Sequence, residues 1–253
     1  MNLFGRVMTP RPTLITDRAW DTLIVLDACR LDVFRTAWPG CSSIVSPGSC
    51  TLDWVEANFV RNPSNHALAD VTMVTANPYS SREFFDTKGW SYPLAACISA
   101  WKVGWDMELD TVPPETVVEE TIRAQEGDSD RLLVHFLQPH APFIGDPSLP
   151  MPLGRDPKRP IGYGVGDATW RAIRSGLVPI EEAKAAYRGN LQLVLRHVSR
   201  LLGILEGRIV ITSDHGELFG EYGLFGHPER VSVPPLVNVP WLELDSDRGE
   251  SRI

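Results

Sequence analysis

Short, continuously apolar runs alternate along the chain with segments whose apolar residues recur at helical spacing. The apolar runs predict strands buried on both faces of a sheet, and they lie at 22–26, 71–79, 132–136 and 209–212. The helical pattern marks the segments 28–38, 113–125 and 180–207, the last with a possible interruption near Gly189. This alternation predicts an α/β fold with a mostly parallel central sheet and helices on both faces.

The chain length and the absence of internal repeats predict one domain over residues 1–253. Residues 144–180 interrupt the alternation with a Pro- and Gly-rich stretch, which predicts an insertion or a lid. Because such long loops commonly determine which substrate is accepted, we expect this segment to influence substrate choice.

Polar side chains follow two of the apolar runs at the point where each strand should end. Asp27 follows the first run, and Asp214 and His215 follow the last one, with Gly216 permitting a turn that brings both side chains to one ion. Carboxylate oxygens and an imidazole nitrogen are suitable ligands for a divalent metal. The alternatives are a helix N-cap for Asp27 and, for Asp214 and His215, a capped strand end with a surface histidine.

Two further histidines lie in loops of restricted or unusually free backbone. His140 lies between Pro139 and Pro142, which restrict the backbone around it, and His227 follows a glycine-rich loop. Both imidazoles are candidates for a binding site. His135, within the strand pattern, is better explained as a satisfied interior histidine.

The segment SPGSCTLDWVEANF, residues 46–59, predicts a loop that enters the N-terminus of a helix. Ser49, Cys50 and Thr51 stand at this entry, where backbone N–H groups and the helix dipole favour an anionic nucleophile. A nearby metal would lower the pKa of a thiol or hydroxyl further. Helix capping by Ser49 or Thr51 is the alternative for this position.

The composition of the chain argues against some classes of protein and some kinds of binding partner. A formal net charge of −8 argues against a general nucleic-acid binder, because the chain lacks a basic stripe for phosphates. The four cysteines have neither CxxC spacing nor the density of a disulfide scaffold, which predicts a reducing, cytoplasmic location. The chain contains neither a recognisable signal peptide nor an apolar run of about 18 residues, so we expect no transmembrane segment.

Four features taken together resemble a known family. Asp27 after the first strand, a nucleophile candidate at a helix start, the PHAPF segment at 139–143, and SDHGE at 213–217 followed by GHP are similar to the sulfatase-like branch of the alkaline phosphatase superfamily. The resemblance covers about residues 20 to 244 and includes the closing VPPLVNVPWLEL segment. It implies a hydrolase or transferase that acts on a phosphate or sulfate ester.

The resemblance also implies roles for individual residues. Asp27, Asp214 and His215 would hold one divalent cation, with the nucleophile completing the ligand set. His140 and His227 would contact the transferred group or its leaving oxygen, with His227 as the better general acid. Mixed carboxylate and imidazole ligands favour Mn²⁺ or Zn²⁺ and leave Mg²⁺ or Ca²⁺ as alternatives.

The chain also departs from the family pattern. Sulfatases follow the nucleophile with x-Pro-x-Arg, whereas Cys50 is followed by Thr51, Leu52, Asp53 and Trp54. Cys50 occupies the nucleophile register, but phosphoryl transferases of the superfamily use Thr or Ser, so Thr51 is its rival. The segment that builds a second metal site in other members is not evident, which predicts a single metal.

Two hypotheses follow from the sequence. The first is an enzyme that attacks a small anionic ester, or a glycan- or lipid-linked one, through Cys50 or Thr51. The second is a catalytically inactive sulfatase-like module that serves binding or assembly. The altered nucleophile segment favours the second hypothesis, and the retained carboxylates and histidines favour the first; the oligomeric state stays open.

Overall fold

The computed structural model describes residues 11–127, 130–149, 164 and 166–246. Seven strands form one sheet in the order β2-β9-β6-β1-β5-β3-β4. The strands of this sheet are β1 (Thr22–Leu26), β2 (Ser42–Val45), β3 (Val71–Thr75), β4 (Ala96–Ser99), β5 (Arg131–Phe136), β6 (Gly207–Thr212) and β9 (Asn238–Ser246). A separate two-stranded ribbon pairs β7 (Leu218–Phe219) with β8 (Phe225–Gly226).

The sheet is mostly parallel. β1 pairs in parallel with both β5 and β6, and β3 pairs in parallel with β4 and β5. Only β9 runs antiparallel to its neighbours β2 and β6 within this sheet. The predicted mostly parallel sheet is therefore confirmed.

Eight α-helices connect the strands of the described chain. They are α1 (Leu31–Phe34), α2 (Thr51–Val55), α3 (Arg82–Lys88), α4 (Ala100–Gly104), α5 (Pro114–Gln125), α6 (Asp167–Arg174), α7 (Ile180–Leu202) and α8 (Pro234–Val237). Helix α2 continues directly into a π-helical segment, Glu56–Val60. Short 3₁₀ turns add Asn65–Leu68, Pro78–Ser80 and Glu221–Gly223.

The two faces of the sheet bury separate apolar clusters, because successive strand residues point to opposite faces. Ile24 and Leu26 of β1 pack into the cluster that contains the apolar faces of α5 and α7. Leu23 and Val25 of the same strand pack into the cluster on the other side, which includes residues of α2 and α3. Helices therefore cover both faces, and the polar groups that end the strands meet at one rim.

Helix α7 runs without a break from Ile180 to Leu202, in contrast to the interruption predicted near Gly189. Gly189 lies within this helix. A side chain at this position would overlap the backbone of Asp146, which explains why the residue is a glycine. The glycine thus permits close contact between a helix and a loop, rather than ending the helix. The helix predicted at 28–38 is also shorter than expected and spans only Leu31–Phe34.

The predicted insertion at 144–180 lies partly outside the described residues, which omit 150–163 and 165. Its described part contains helix α6, and the backbone N–H of Leu149 donates to the carbonyl oxygen of Phe143 at 2.8 Å. The role of this segment as a lid, and the assignment of the whole chain to one domain, stay predictions.

Candidate functional site

Four neighbouring parallel strands deliver polar side chains to the same rim of the sheet. In sheet order these strands are β6, β1, β5 and β3. Residues just beyond their carboxyl ends are Asp214 and His215, then Asp27, then His140, then Asn77. Because the carboxyl ends of adjacent parallel strands lie side by side, residues that are remote along the chain become neighbours here.

The structure brings Asp27, Asp214, His215 and Thr51 into one buried group. The Thr51 hydroxyl donates to Asp214 Oδ2 at 2.8 Å. His215 Nε2 lies 3.4 Å from that same oxygen, 3.5 Å from Asp27 Oδ1 and 3.4 Å from Thr51 Oγ1. The three ligands predicted from the resemblance therefore lie together, and their role as metal ligands stays a prediction.

Hydrogen bonds to the remaining atoms orient these donors. Asp214 Oδ1 accepts the backbone N–H of Ala28 at 3.1 Å and that of His215 at 2.9 Å, which leaves Oδ2 toward the centre of the group. His215 Nδ1 lies 2.7 Å from the carbonyl oxygen of Gly216. Since a carbonyl oxygen only accepts, Nδ1 carries the proton and Nε2 presents a lone pair to the group.

Three of the distances among the four donors match a divalent cation, whereas the hydrogen-bonded pair of Thr51 Oγ1 and Asp214 Oδ2 is closer, at 2.8 Å. Ligands of a tetrahedral ion with metal–ligand distances of about 2.0–2.1 Å lie about 3.3 Å from one another. The separations that involve His215 Nε2 are 3.4 to 3.5 Å. Asp27 Oδ1 is buried and lacks a hydrogen-bond partner among the described residues, and a cation would satisfy it. A candidate metal site therefore exists at this rim.

The two carboxylates affect each other. Burial raises the pKa of Asp27 well above its usual value, and the nearby Asp214 carboxylate raises it further. Burial alone would also raise the pKa of Asp214, but the adjacent His215 and His135 and the hydrogen bond from Thr51 lower it below the usual value. A divalent cation between the two carboxyl groups would favour the charged form of both, which burial without a cation opposes at Asp27.

The two nucleophile candidates have different surroundings. Thr51 is the first residue of α2, and its hydroxyl contacts both Asp214 and His215. Cys50 is the residue that precedes the helix, and burial raises the pKa of its thiol to about 12. The carboxylates of Asp53 and Glu229 also oppose a thiolate at this position. Among the described residues, the geometry thus favours Thr51 over Cys50 as the group next to a cation.

A second group of donors adjoins the first. His140, Glu217 and His227 bring one ligand atom each to within 4.8 Å of one another. The ring of His227 lies 4.9 Å from the ring of His140 and 4.5 Å from the ring of His215. The two histidines predicted to contact a reacting group therefore face the rim, although a cation could also bind there and the single metal stays a prediction.

The surroundings shift the pKa values of the two histidines in this second group in opposite directions. Burial and the nearby His227 lower the pKa of His140 to about 4. Burial also acts to lower the pKa of His227, but its contact with Glu217 outweighs this and the net pKa is raised. His227 Nδ1 lies 2.8 Å from Glu217 Oε1. Near neutral pH, His227 is the better proton donor of the two.

The loop that carries His140 is held by helix α7. The side-chain amide of Asn190 donates to the carbonyl oxygens of Pro139 at 3.2 Å, His140 at 3.0 Å and Pro142 at 3.3 Å. The peptide bonds before Pro139 and Pro142 are cis. The two protons of this single buried amide are thus shared among three loop carbonyls and help to orient the segment that the two prolines restrict.

Three residues of the site lacked a functional assignment from the sequence. Asn77 donates to Asp27 Oδ2 at 2.6 Å and lies 3.3 Å from Thr51 Oγ1. Glu217 holds His227, and His135 Nε2 points to Asp214 Oδ2 at 3.8 Å. The signal that could have identified Asn77 is its position after a buried parallel strand, the same signal that identified Asp27. The interpretation of His135 as a satisfied interior residue holds only for Nδ1, which contacts Ser80 at 3.1 Å.

An open cleft of about 200 Å³ leads to these groups. Its walls include Asp27, Thr51, Asn77, His140 and His227. The cleft therefore gives a small molecule access to both donor groups, which is the arrangement typical of a site that binds a reacting group.

Comparison with known proteins gives the fold. No protein-family model and no curated protein matches the sequence. Among solved structures, the soluble domain of lipooligosaccharide phosphoethanolamine transferase A from Neisseria meningitidis is 11% identical, with 88% of this chain and 75% of that chain covered and a TM-score of 0.58. The phosphonate monoester hydrolase of Agrobacterium radiobacter is 16% identical, with 93% and 68% covered and a TM-score of 0.50.

A third structure is the C-terminal periplasmic domain of EcEptC from Escherichia coli in complex with Zn, which is 13% identical. The match covers 95% of this chain and 78% of that chain, with a TM-score of 0.51. The chain has the sulfatase-like alkaline phosphatase fold. The resemblance inferred from the sequence motifs is thereby confirmed at the level of the fold.

The sulfatase-like neighbours contradict the predicted cytoplasmic location, since they include periplasmic domains. The prediction was wrong because cysteine spacing reports on disulfide scaffolds and not directly on the compartment. All four cysteines are free here, and such a domain needs no disulfide when its apolar core is large. In the described chain, no helix combines the length and the apolar character that a bilayer crossing requires.

Gly216 contributes to this site through close packing rather than through an unusual turn. Its N–H donates to the carbonyl oxygen of Leu236 at 2.7 Å, and a side chain at this position would overlap the carbonyl oxygen of Pro235. We expect Gly216→Ala to lower the free energy of unfolding by about 1–3 kcal/mol, because the backbone must move to admit a methyl group. Chemical denaturation would measure this change.

Gly40→Ala is the matched control, since the position that its methyl group would occupy is open space. It should change the free energy of unfolding by at most about 1 kcal/mol, in the stabilising direction. Equal stability of the Gly216 and Gly40 variants would contradict the close contact with Pro235.

Proposed function

We propose that this chain is a metal-dependent phosphoesterase or phosphoryl transferase in which Thr51 is the nucleophile. The observation that carries the proposal is the position of the Thr51 hydroxyl, 2.8 Å from Asp214 Oδ2 and 3.4 Å from His215 Nε2. A hydroxyl in such a donor group can share a cation with the carboxylates and the imidazole.

Asp27, Asp214 and His215 would hold the cation together with Thr51. A mixed set of carboxylate, hydroxyl and imidazole donors favours Zn²⁺ or Mn²⁺ over Mg²⁺ or Ca²⁺, which prefer more oxygen ligands. When bound, such a cation lowers the pKa of a hydroxyl and stabilises negative charge on a phosphoryl oxygen. The solved EcEptC domain in complex with Zn supports the choice of zinc as the first ion to test.

The chain's own residues account for the bonds that change. Thr51 Oγ1 loses its proton to solvent and forms a bond to phosphorus while the bond between phosphorus and the alcohol oxygen breaks. His227, whose pKa is raised by Glu217, gives a proton to the departing alcohol oxygen. Asn77 holds Asp27 and lies next to Thr51, which keeps the attacking oxygen in place. Water or a second alcohol then gives a proton to His227 and attacks phosphorus, the bond between phosphorus and Thr51 Oγ1 breaks, and Oγ1 takes up a proton from solvent.

A phosphate ester is favoured over a sulfate ester as substrate. The sulfatase sequence x-Pro-x-Arg does not follow Cys50, and the raised thiol pKa opposes a reactive cysteine. Phosphoethanolamine transferases and a phosphonate monoester hydrolase share the fold. The cleft of about 200 Å³ suits the reacting phosphate and a small alcohol, so the rest of a lipid- or glycan-linked substrate would lie outside it. We propose that the reaction takes place outside the cytoplasm, where related domains lie.

Turnover of nitrophenyl phosphate, bis-nitrophenyl phosphate and nitrophenyl sulfate, each with added Zn²⁺ or Mn²⁺, tests the proposal. We expect cleavage of a phosphate ester and a phosphorylated Thr51, detected by mass spectrometry of the denatured protein. Turnover of the sulfate alone would contradict the choice of substrate. Lack of turnover on all three, with no bound metal by elemental analysis, would favour the inactive binding module.

A further inference from the structure

One buried hydroxyl contacts the turn that carries Asp27 without belonging to the cation site. Tyr187 of α7 is 1% exposed, and its Oη donates to the carbonyl oxygen of Ala28 at 2.7 Å. Tyr187 Oη also accepts the backbone N–H of Arg30 at 2.8 Å. Tyr187 therefore bridges the two ends of the turn formed by residues 27–30.

This turn contains a residue in an unfavourable conformation. Ala28 has φ of 58°, in the left-handed region that a residue with a Cβ atom rarely adopts. Ala28 is also fully buried, so its polar backbone groups depend on protein partners. The carbonyl oxygen of Ala28 accepts the hydrogen bond from Tyr187. This hydrogen bond helps to maintain the left-handed conformation of Ala28.

The conformation of the turn determines how both candidate carboxylate ligands point. The N–H of Ala28 donates to Asp214 Oδ1 at 3.1 Å, and the N–H of Cys29 donates to Ser213 Oγ at 2.8 Å. The backbone next to Asp27 thus anchors Asp214. If the turn changed conformation, Asp27 and Asp214 would lose their common orientation.

We propose that Tyr187 is a positioning residue for the cation site. Its hydroxyl keeps Ala28 in the left-handed conformation, and the resulting turn of residues 27–30 directs Asp27 and Asp214 to a common ion. This inference rests on the proposed function, because it requires that the two carboxylates bind a divalent cation. The hydroxyl that supports the turn belongs to helix α7, which begins more than a hundred residues after the turn.

Removal of the hydroxyl alone tests the inference, since the ring has its own packing. The ring of Tyr187 lies 6.0 Å from that of Phe143 and 5.3 Å from that of Phe219, and Tyr187→Phe keeps these contacts. Titration with Zn²⁺ or Mn²⁺ alone, followed by calorimetry, gives the dissociation constant. We expect it to rise about tenfold, because the buried carbonyl oxygen of Ala28 and the N–H of Arg30 lose a partner.

Two further variants separate positioning from a general loss of stability. Tyr92→Phe removes a hydroxyl that contacts Met73 Sδ at 3.6 Å in a different apolar cluster, and it should leave metal affinity unchanged. Adding Ala28→Gly to Tyr187→Phe should return the dissociation constant to within about threefold of the wild-type value, because glycine adopts positive φ readily. The unfolding midpoint of each metal-free variant is measured in parallel.

The outcomes distinguish the two proposals. A wild-type chain that binds neither metal would overturn the proposed function. Wild-type binding with an unchanged dissociation constant in Tyr187→Phe would overturn the positioning role alone, even if the unfolding midpoint fell. Should Tyr187→Phe fail to fold, the double variant is compared with Ala28→Gly, and weak binding by the double variant would exclude the turn as the route of the effect.

Discussion

Asp214→Asn is expected to abolish cation binding and to reduce turnover more than about a hundredfold, since loss even of a residue behind the ligands typically costs 10- to 100-fold. The change removes one of two buried charges and leaves the side-chain shape intact. Because His215, His135 and Thr51 lower the pKa of Asp214, the folded state stabilises its charge, and the metal-free variant should lose some stability relative to the metal-free wild type. Calorimetric titration with Zn²⁺ and turnover of a nitrophenyl phosphate measure the two effects.

Thermal unfolding with and without Zn²⁺ adds an independent measurement. A ligand that binds only the folded state raises the unfolding midpoint, so the wild type should gain stability from the metal and Asp214→Asn should not. Asp70→Asn is the control, because Asp70 is exposed and pairs with Arg131 at 3.2 Å, away from the rim. A metal-dependent rise in the midpoint of Asp214→Asn, equal to that of the control, would sink the assignment of Asp214 as a ligand.

Thr51→Ala is expected to reduce turnover by at least about 10³-fold, because removal of a covalent nucleophile leaves only binding and electrostatic effects. The phosphorylated form of the protein should disappear with it. Cys50→Ala should keep turnover within about threefold, because a thiol with a raised pKa supplies little thiolate near neutral pH. Steady-state kinetics and mass spectrometry of the two variants decide between the residues.

Thr51→Ser is the control, because it keeps a hydroxyl at the start of α2 and should keep part of the activity. The reverse result, with Cys50 essential and Thr51 dispensable, would show that the nucleophile has been assigned to the wrong residue. If neither substitution lowers turnover, attack by water without a covalent intermediate becomes the mechanism.

The strand ends were predictable because strands buried on both faces leave a clear pattern. The runs that end before Asp27 and Asp214 are continuously apolar, so a charged residue directly after each run was visible as an exception. The same pattern identified the strand before His140. Motif order then linked these positions to one fold, which the structural comparison confirms.

Other contacts of the site could not be predicted from local patterns. Asn77 was visible only as a turn residue before Pro78, and its side chain also performs that role by accepting the N–H of Tyr79. Its second contact, with Asp27, depends on β3 lying two strands away from β1 in the sheet. Glu217 likewise acquires its role only because the chain returns and places His227 beside it.

The sequence by itself determined the fold class and most of the polar residues that gather at the rim, because burial on both faces dictates apolar strands and because polar groups are tolerated where those strands end. Only the tertiary structure decided which strands are neighbours, which of Cys50 and Thr51 contacts Asp214, and that Tyr187 supports the turn after Asp27. The physical reason is that these contacts join residues far apart along the chain. Their distances depend on strand order and helix packing, which local residue patterns do not encode.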